Sequence, residues 1–263
     1  MRGLLVAIVV VAAAAAGTGC KAKADCRALQ EAVRRGEPSR IEELVERGVP
    51  VDCTDALGHT GLHIAAIEEK HESASALLAR GASLERSDGE QRTPLCEAAK
   101  HDCSEVARVL LSSGANKEAP CRRVGLTPLH IAAGADSVDV VKLLLANGAK
   151  VNARNGWDQT PMHQLAWEAP SGVEVARLLI AAGAELEIHD NHGFTPLITA
   201  AKHGKLAVVQ VLLDSGANPN AATDSGHTVM DHGAKFPEVV ALVKARGGRA
   251  KAPSVGATTP RIE

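Results

Sequence analysis

A four-residue signal returns along this chain at an almost constant interval, and that interval restricts the fold more than any other property. Its full form is Thr127-Pro128-Leu129-His130. Near-copies stand at Thr60-Gly61-Leu62-His63, Thr93-Pro94-Leu95-Cys96, Thr160-Pro161-Met162-His163 and Thr195-Pro196-Leu197-Ile198, and a degenerate copy at Thr228-Val229-Met230-Asp231. Successive threonines lie 33, 34, 33, 35 and 33 residues apart. A fixed period of this size implies a solenoid in which each unit buries itself against the next, rather than a globular enzyme core. A second signal keeps step with the first: Gly81-Ala82, Gly114-Ala115, Gly148-Ala149, Gly183-Ala184 and Gly216-Ala217 each follow an apolar run such as Leu143-Leu144-Leu145.

Glycine just past a helix takes the left-handed conformation that other residues resist, so the second signal marks a helix end. The first marks a helix start, because threonine caps a helix and proline fits its first turn. Small residues such as Ile131-Ala132-Ala133 then allow close packing. These two anchors resemble those of the ankyrin repeat family over about residues 25–247. The resemblance implies an all-α solenoid of about seven stacked helix-turn-helix repeats joined by β-hairpin or turn loops. The first repeat lacks the quartet and the last carries Asp231 in place of histidine, polar departures expected of caps with one face in water. Residues 248–263 lack apolar periodicity and are expected to form a disordered tail.

The first 24 residues have a different design. Arg2 precedes an unbroken apolar or alanine run from Leu4 to Ala16, then Gly17-Thr18-Gly19 and Cys20. The run is too short for a permanent membrane span and has the layout of a secretory signal. Small residues directly before a cysteine resemble the lipobox of bacterial lipoproteins, although Gly17 stands where that family prefers leucine. The resemblance implies a signal peptide over 1–19, acylation of Cys20, a short linker over 20–24 and a lipid anchor in the envelope facing the periplasm. Lys21 in place of aspartate favours the outer over the inner membrane. The rival is cleavage after Ala24, which leaves a soluble periplasmic protein.

A net charge of −2 offers no footprint for nucleic acid and no polybasic membrane patch. With Cys20 assigned to lipid, Cys26, Cys53, Cys96, Cys103 and Cys121 remain, an odd number that leaves at least one unpaired within the chain. Cys26 with Cys53, and Cys96 with Cys121, could meet if neighbouring hairpins stack. The simpler expectation is small buried side chains filling tight helix contacts. His63, His130 and His163 occupy the quartet, where the family resemblance implies hydrogen bonding that ties a helix start to the neighbouring turn. His189, Asp190 and His192 lie close enough to suggest a metal site, but no further ligand is evident. No nucleophile elbow, zincin pair or phosphate-binding glycine loop occurs, so neither catalysis nor a cofactor is expected.

In the ankyrin family the ligand surface is usually concave, built from hairpin tips and the exposed ends of first helices. By register this surface takes Leu57, His59, Ile67 and Glu68 in the second repeat, and Glu90, Arg92, Lys100 and His101 in the third. Val124, Leu126, Gly134 and Ala135 follow in the fourth, Trp157, Gln159, Trp167 and Glu168 in the fifth, and His192, Phe194, Lys202 and His203 in the sixth. Both tryptophans and one of the two phenylalanines therefore fall together. Aromatic anchors of this kind often contribute about 2 kcal/mol or more each. The expected partner-binding set is Trp157, Trp167, Phe194, Leu126, Gln159 and His192, with Arg92, Lys100 and Arg123 as a basic flank. The competing reading has the tryptophans bracing the insertion at Ala169-Pro170-Ser171. A monomeric protein-binding module follows, acting as scaffold or stabilising companion at the bacterial envelope. Alternatives are an inhibitor or immunity-like protein, and a metal-binding protein using His189, Asp190 and His192.

Overall fold

The computed structural model describes residues 25–122 and 124–251. The leader, Cys20 and Arg123 lie outside the described residues. Among the described residues fourteen helices form two layers. The inner layer comprises α1 (25–35), α3 (Gly61–Ile67), α5 (Pro94–His101), α7 (Pro128–Ala135), α9 (Pro161–Glu168), α11 (Pro196–Lys202) and α13 (Val229–His232). The outer layer comprises α2 (Pro38–Glu46), α4 (His71–Ala79), α6 (Ser104–Ser112), α8 (Val138–Ala146), α10 (Val173–Ala181), α12 (Leu206–Asp214) and α14 (Pro237–Ala245). From α3 onward each inner helix packs on the next inner helix, and from α2 each outer helix on the next outer one. Among the described residues no helix is long and apolar enough to cross a membrane.

An aliphatic core runs between the layers. Leu77, Leu110, Leu144, Leu179 and Leu212 supply it from the outer helices, Leu62, Leu95, Leu129, Met162 and Leu197 from the inner ones. Fully buried alanines such as Ala98-Ala99 and Ala132-Ala133 let the inner helices approach closely. Outer helices stop in a repeated way: Gly114 takes φ +93°, and the following Ala115 N–H donates to Leu110 O at 3.0 Å, closing the last turn.

The quartet histidine links one repeat to the next. Nδ1 of His130 faces the Thr127 N–H at 3.1 Å, and Nε2 lies 2.9 Å from Gln159 O. A carbonyl can only accept, so Nε2 carries the proton and Nδ1 is the acceptor. His63 reaches Arg92 O at 2.8 Å and His163 reaches Phe194 O at 2.9 Å in the same way. In the last repeat Asp231 Oδ2 takes over the cap, accepting from Thr228 N at 2.8 Å and Thr228 Oγ1 at 2.9 Å.

Of the two loop forms expected, β-hairpin or turn, the repeats use turns: among the described residues only single bridges form, Cys121 with Leu126 and Ala222 with Thr228. Two expectations need correction. Residues 248–251, expected with the tail, belong to the folded body. The Gly248 N–H bonds Val243 O, that of Arg249 bonds Asn220 Oδ1, and that of Lys251 bonds Asp231 Oδ2. Cys96 and Cys121 are not merely small fillers but form a disulfide with Cα atoms 5.9 Å apart, while Cys26, Cys53 and Cys103 are unbonded.

Two stability predictions follow from these links. Burial pushes the His130 imidazole down to about 4, and burial also lowers His63 and His163. A histidine that resists protonation when folded contributes its full stability above the unfolded pKa of about 6.5. That contribution is lost as pH falls toward the folded value. His130 alone should therefore cost about 2 kcal/mol between pH 7 and pH 4.5, read as a falling urea midpoint that His130→Leu flattens. The disulfide closes a separation of 25 residues, so the Cys96→Ser/Cys121→Ser protein should lose about 3 kcal/mol in the same assay.

Candidate functional site

Turns and inner helices together position the outward-facing groups: Gln164, Trp167 and Glu168 stand on α9, Trp157 and Phe194 on turns. Five residues before the quartet threonine, a short polar side chain gathers the N–H groups of its own turn. Asn155 Oδ1 accepts from Trp157 N at 2.8 Å and Gln159 N at 3.1 Å, and Asp190 Oδ1 from His192 N and Phe194 N, each at 2.9 Å. Asp55 and Asp88 do the same in earlier repeats. These turns hold Trp157 and Phe194 in register above the inner helices.

Two cavities open between the turn tips and the inner helices. The first, of about 520 Å³, is lined by Glu90, Val124, Leu126, Trp157, Gln164 and Trp167, with Gly89, Gln91, Arg122 and Glu168. The second, of about 220 Å³, is lined by Gln159, Trp167, Asp190, His192, Phe194, Thr199, Lys202 and His203. Trp167, 41% exposed, is the wall they share. Next to it the His203 ring lies 6.3 Å from the indole, and Lys202 Nζ stands 4.5 Å from the Phe194 centroid.

The structure thus brings Trp157, Trp167, Phe194, Gln159, His192 and Leu126 around two adjoining cavities. Leu126 does so as a buried group, packed on the Cys96–Cys121 bridge. Gln159 is anchored by its amide, which donates to Asp190 Oδ2 at 3.2 Å. The insertion at Ala169-Pro170-Ser171 is tied by other residues. Asp136 Oδ2 accepts from Ser171 N and Gly172 N at 3.2 and 3.0 Å, and Lys205 Nζ donates to Ala169 O at 2.7 Å.

Arg92, expected in the basic flank, does not face outward. Arg92 is buried, with its guanidinium 2.9 Å from Asp88 Oδ2 and 3.2 Å from Glu90 Oε2. Its Nε also makes a 2.6 Å ionic contact with Glu97, which is itself buried and 3.3 Å from His101 Nε2. Burial opposes the charge on Asp88, yet hydrogen bonds from the Arg92 backbone and side chain hold its carboxyl below the usual range. Arg92 is therefore spent inside the fold. Lys100 is exposed but outside both cavities, and Arg123 lies outside the described residues. The cation that does line the first cavity is Arg122, which takes the register position that Asn155 and Asp190 hold elsewhere.

The grouping of His189, Asp190 and His192 loses its carboxylate as a metal ligand. Asp190 is buried and already accepts from two backbone N–H groups and Gln159. His189 lines a separate shallow depression with Arg154 and Glu187. Among the described residues no three His, Cys, Asp or Glu side chains are grouped to hold a metal.

The sequence profile described as "Ankyrin repeats" matches in three copies, over residues 29–121, 129–223 and 163–243. Neurogenic locus notch homolog protein 1 of Danio rerio is 31% identical over 130 residues, which are 49% of this chain and 5% of that relative. The chain therefore spans only a small part of that protein. Among solved structures, the human ASB11 ankyrin repeat domain superposes with TM-score 0.72 at 26% identity, covering 84% of this chain and 98% of that one. The ankyrin repeat domain of Bcl-3, a member of the IkappaB family, gives TM-score 0.70 at 26% identity over 82% of this chain and 97% of that one.

Removing Arg92 strands two carboxylates, whereas removing Lys100 strands nothing. Arg92→Ala should lower unfolding free energy by about 3 kcal/mol and Lys100→Ala by less than about 0.5 kcal/mol in urea titrations.

Proposed function

This chain belongs to the ankyrin repeat family, whose fold is a general protein–protein interaction surface and typically a non-catalytic one. From that premise we propose that it is a protein-binding module of the bacterial cell envelope, exported by its leader and anchored through acylated Cys20. It would serve an envelope protein as scaffold or stabilising companion. The observation that carries the binding reading is the clustering of Trp157, Trp167 and Phe194 around two cavities, in a chain with only two tryptophans, two phenylalanines and no tyrosine. Large, rigid aromatic groups beside a partly apolar depression suit a protein contact better than small-molecule chemistry, which would need convergent reactive groups.

The export reading draws support from the apolar run at Leu4 to Ala16 followed by Cys20. The Cys96–Cys121 bond favours the same compartment, since disulfides persist outside the reducing cytosol. Coupled repeats hold the binding face preformed, which limits the ordering cost of association.

The test is affinity capture from the producing cell's envelope, with the Trp157→Ala/Trp167→Ala protein alongside. The double variant should keep its helical circular dichroism, because Trp167 is exposed and Trp157 only half-buried. One stoichiometric protein retained by wild type and lost from the folded variant is the expected result. Equal recovery with both proteins would move the contact elsewhere, and loss of helicity would make the tryptophans structural. Mass spectrometry of the mature amino terminus, expected as acylated Cys20, checks the anchor.

A further inference from the structure

Aromatic faces on this surface are treated unequally. Phe194 already carries a cation of its own chain, Lys202 Nζ at 4.5 Å. Trp157 and Trp167 offer stronger π-faces, yet among the described residues no cation of this chain stands over either ring. Glu168 lines the same cavity and joins none of the ion pairs among the described residues. Its position depends on Gly134: a β-carbon there would lie 2.9 Å from Glu168 Oε2 and 3.1 Å from Gln164 Cγ. Gln164 is 3% exposed and its Oε1 has no hydrogen-bond partner.

Among the described residues the cavity therefore combines two indoles with no cation of this chain over them, a carboxylate in no ion pair and an amide oxygen without a donor. Of the two carboxylates in its lining, Glu90 is held by the Arg92 guanidinium at 3.2 Å, which leaves Glu168 for a partner's cation beside the one lining guanidinium, Arg122. The complementary group is planar, cationic and rich in N–H donors. Guanidinium meets all three demands, stacking on an aromatic face while donating to a carboxylate at its edge; ammonium is a compact, strongly hydrated point charge and does not stack. We infer that the cavity between Trp157 and Trp167 receives an arginine side chain of the partner protein, paired with Glu168. This assignment rests on the protein-binding reading above and names the chemistry of its principal contact.

The purified protein is titrated with N-acetyl-arginine methylamide and, separately, with the matching lysine, leucine and glutamate amides. Intrinsic fluorescence reports the site directly, since the only strong fluorophores are the two tryptophans. A saturable change with a dissociation constant on the order of 10 mM is expected for the arginine amide, as suits a single side chain. Lysine should bind about fivefold more weakly, and Glu168→Gln should weaken arginine by about fivefold. Saturation should vanish in Trp167→Ala, followed through Trp157. No saturable response, an equal response to leucine or glutamate amide, or indifference to Glu168→Gln overturns the inference. Envelope capture separates the two proposals. A protein lost from the double tryptophan variant, with no arginine response, sinks the arginine assignment alone. A specific arginine response with no captured protein sinks the protein-binding reading and leaves the cavity a site for free guanidinium compounds.

Discussion

The link from each inner helix start to the turn of the following repeat is the interaction on which this structure depends. Each repeat is too small to bury its own core, so the solenoid exists only if neighbours are held in register. Imidazole suits the task because its two nitrogens point in opposite directions. In His63, His130 and His163, Nδ1 accepts at the cap while Nε2 donates to a carbonyl 29 or 31 residues later. The cap bond is buried in all three and the carbonyl bond buried or partly so, which makes water a poor substitute if either is lost. The carbonyls reached are those of Arg92, Gln159 and Phe194, residues at or beside the outward face. One interaction thus sets both the stacking of the core and the placement of the turns that carry Trp157 and Phe194.

The third repeat lacks this histidine and solves the same problem covalently. Cys96 takes the quartet position, and its bond to Cys121 fastens the turn of the fourth repeat to the start of α5. That turn also lacks the short polar side chain that organises its neighbours, having Arg122 in its place. The single bridge from Cys121 to Leu126, with Cys121 N–H bonding Leu126 O at 2.5 Å, holds it instead. The two departures from the repeat pattern compensate one another. They also turn Arg122 toward the first cavity, where the regular residue would have been consumed by its own backbone.

Much of this was legible from periodicity alone. The threonines and glycines locate helix starts and ends because capping is local chemistry that a short sequence window contains. The same register placed Trp157, Trp167 and Phe194 together. Periodicity failed where a side chain had a choice of partner. Arg92 and Lys100 occupy outward positions by register, but Arg92 turns inward because Asp88, Glu90 and Glu97 converge on it. The buried Glu97, directly after the quartet, was the available signal: a carboxylate in an inner helix needs a cation, and Arg92 is close in sequence. Asp190 was misread with its histidines for a related reason. At five residues before the threonine its carboxylate serves the turn, a role shared by Asp55, Asp88 and Asn155.

The shared wall at Trp167 has a consequence for how binding energy is distributed. A single indole separates the two cavities, so any rotation that enlarges one compartment narrows the other. Groups entering the two sides would then not contribute independently, and substitutions lining opposite cavities should show coupling even though their side chains never touch. On the proposed binding reading, the two cavities act as one bilobed receptor whose selectivity is set by the pair of groups presented together rather than by either alone.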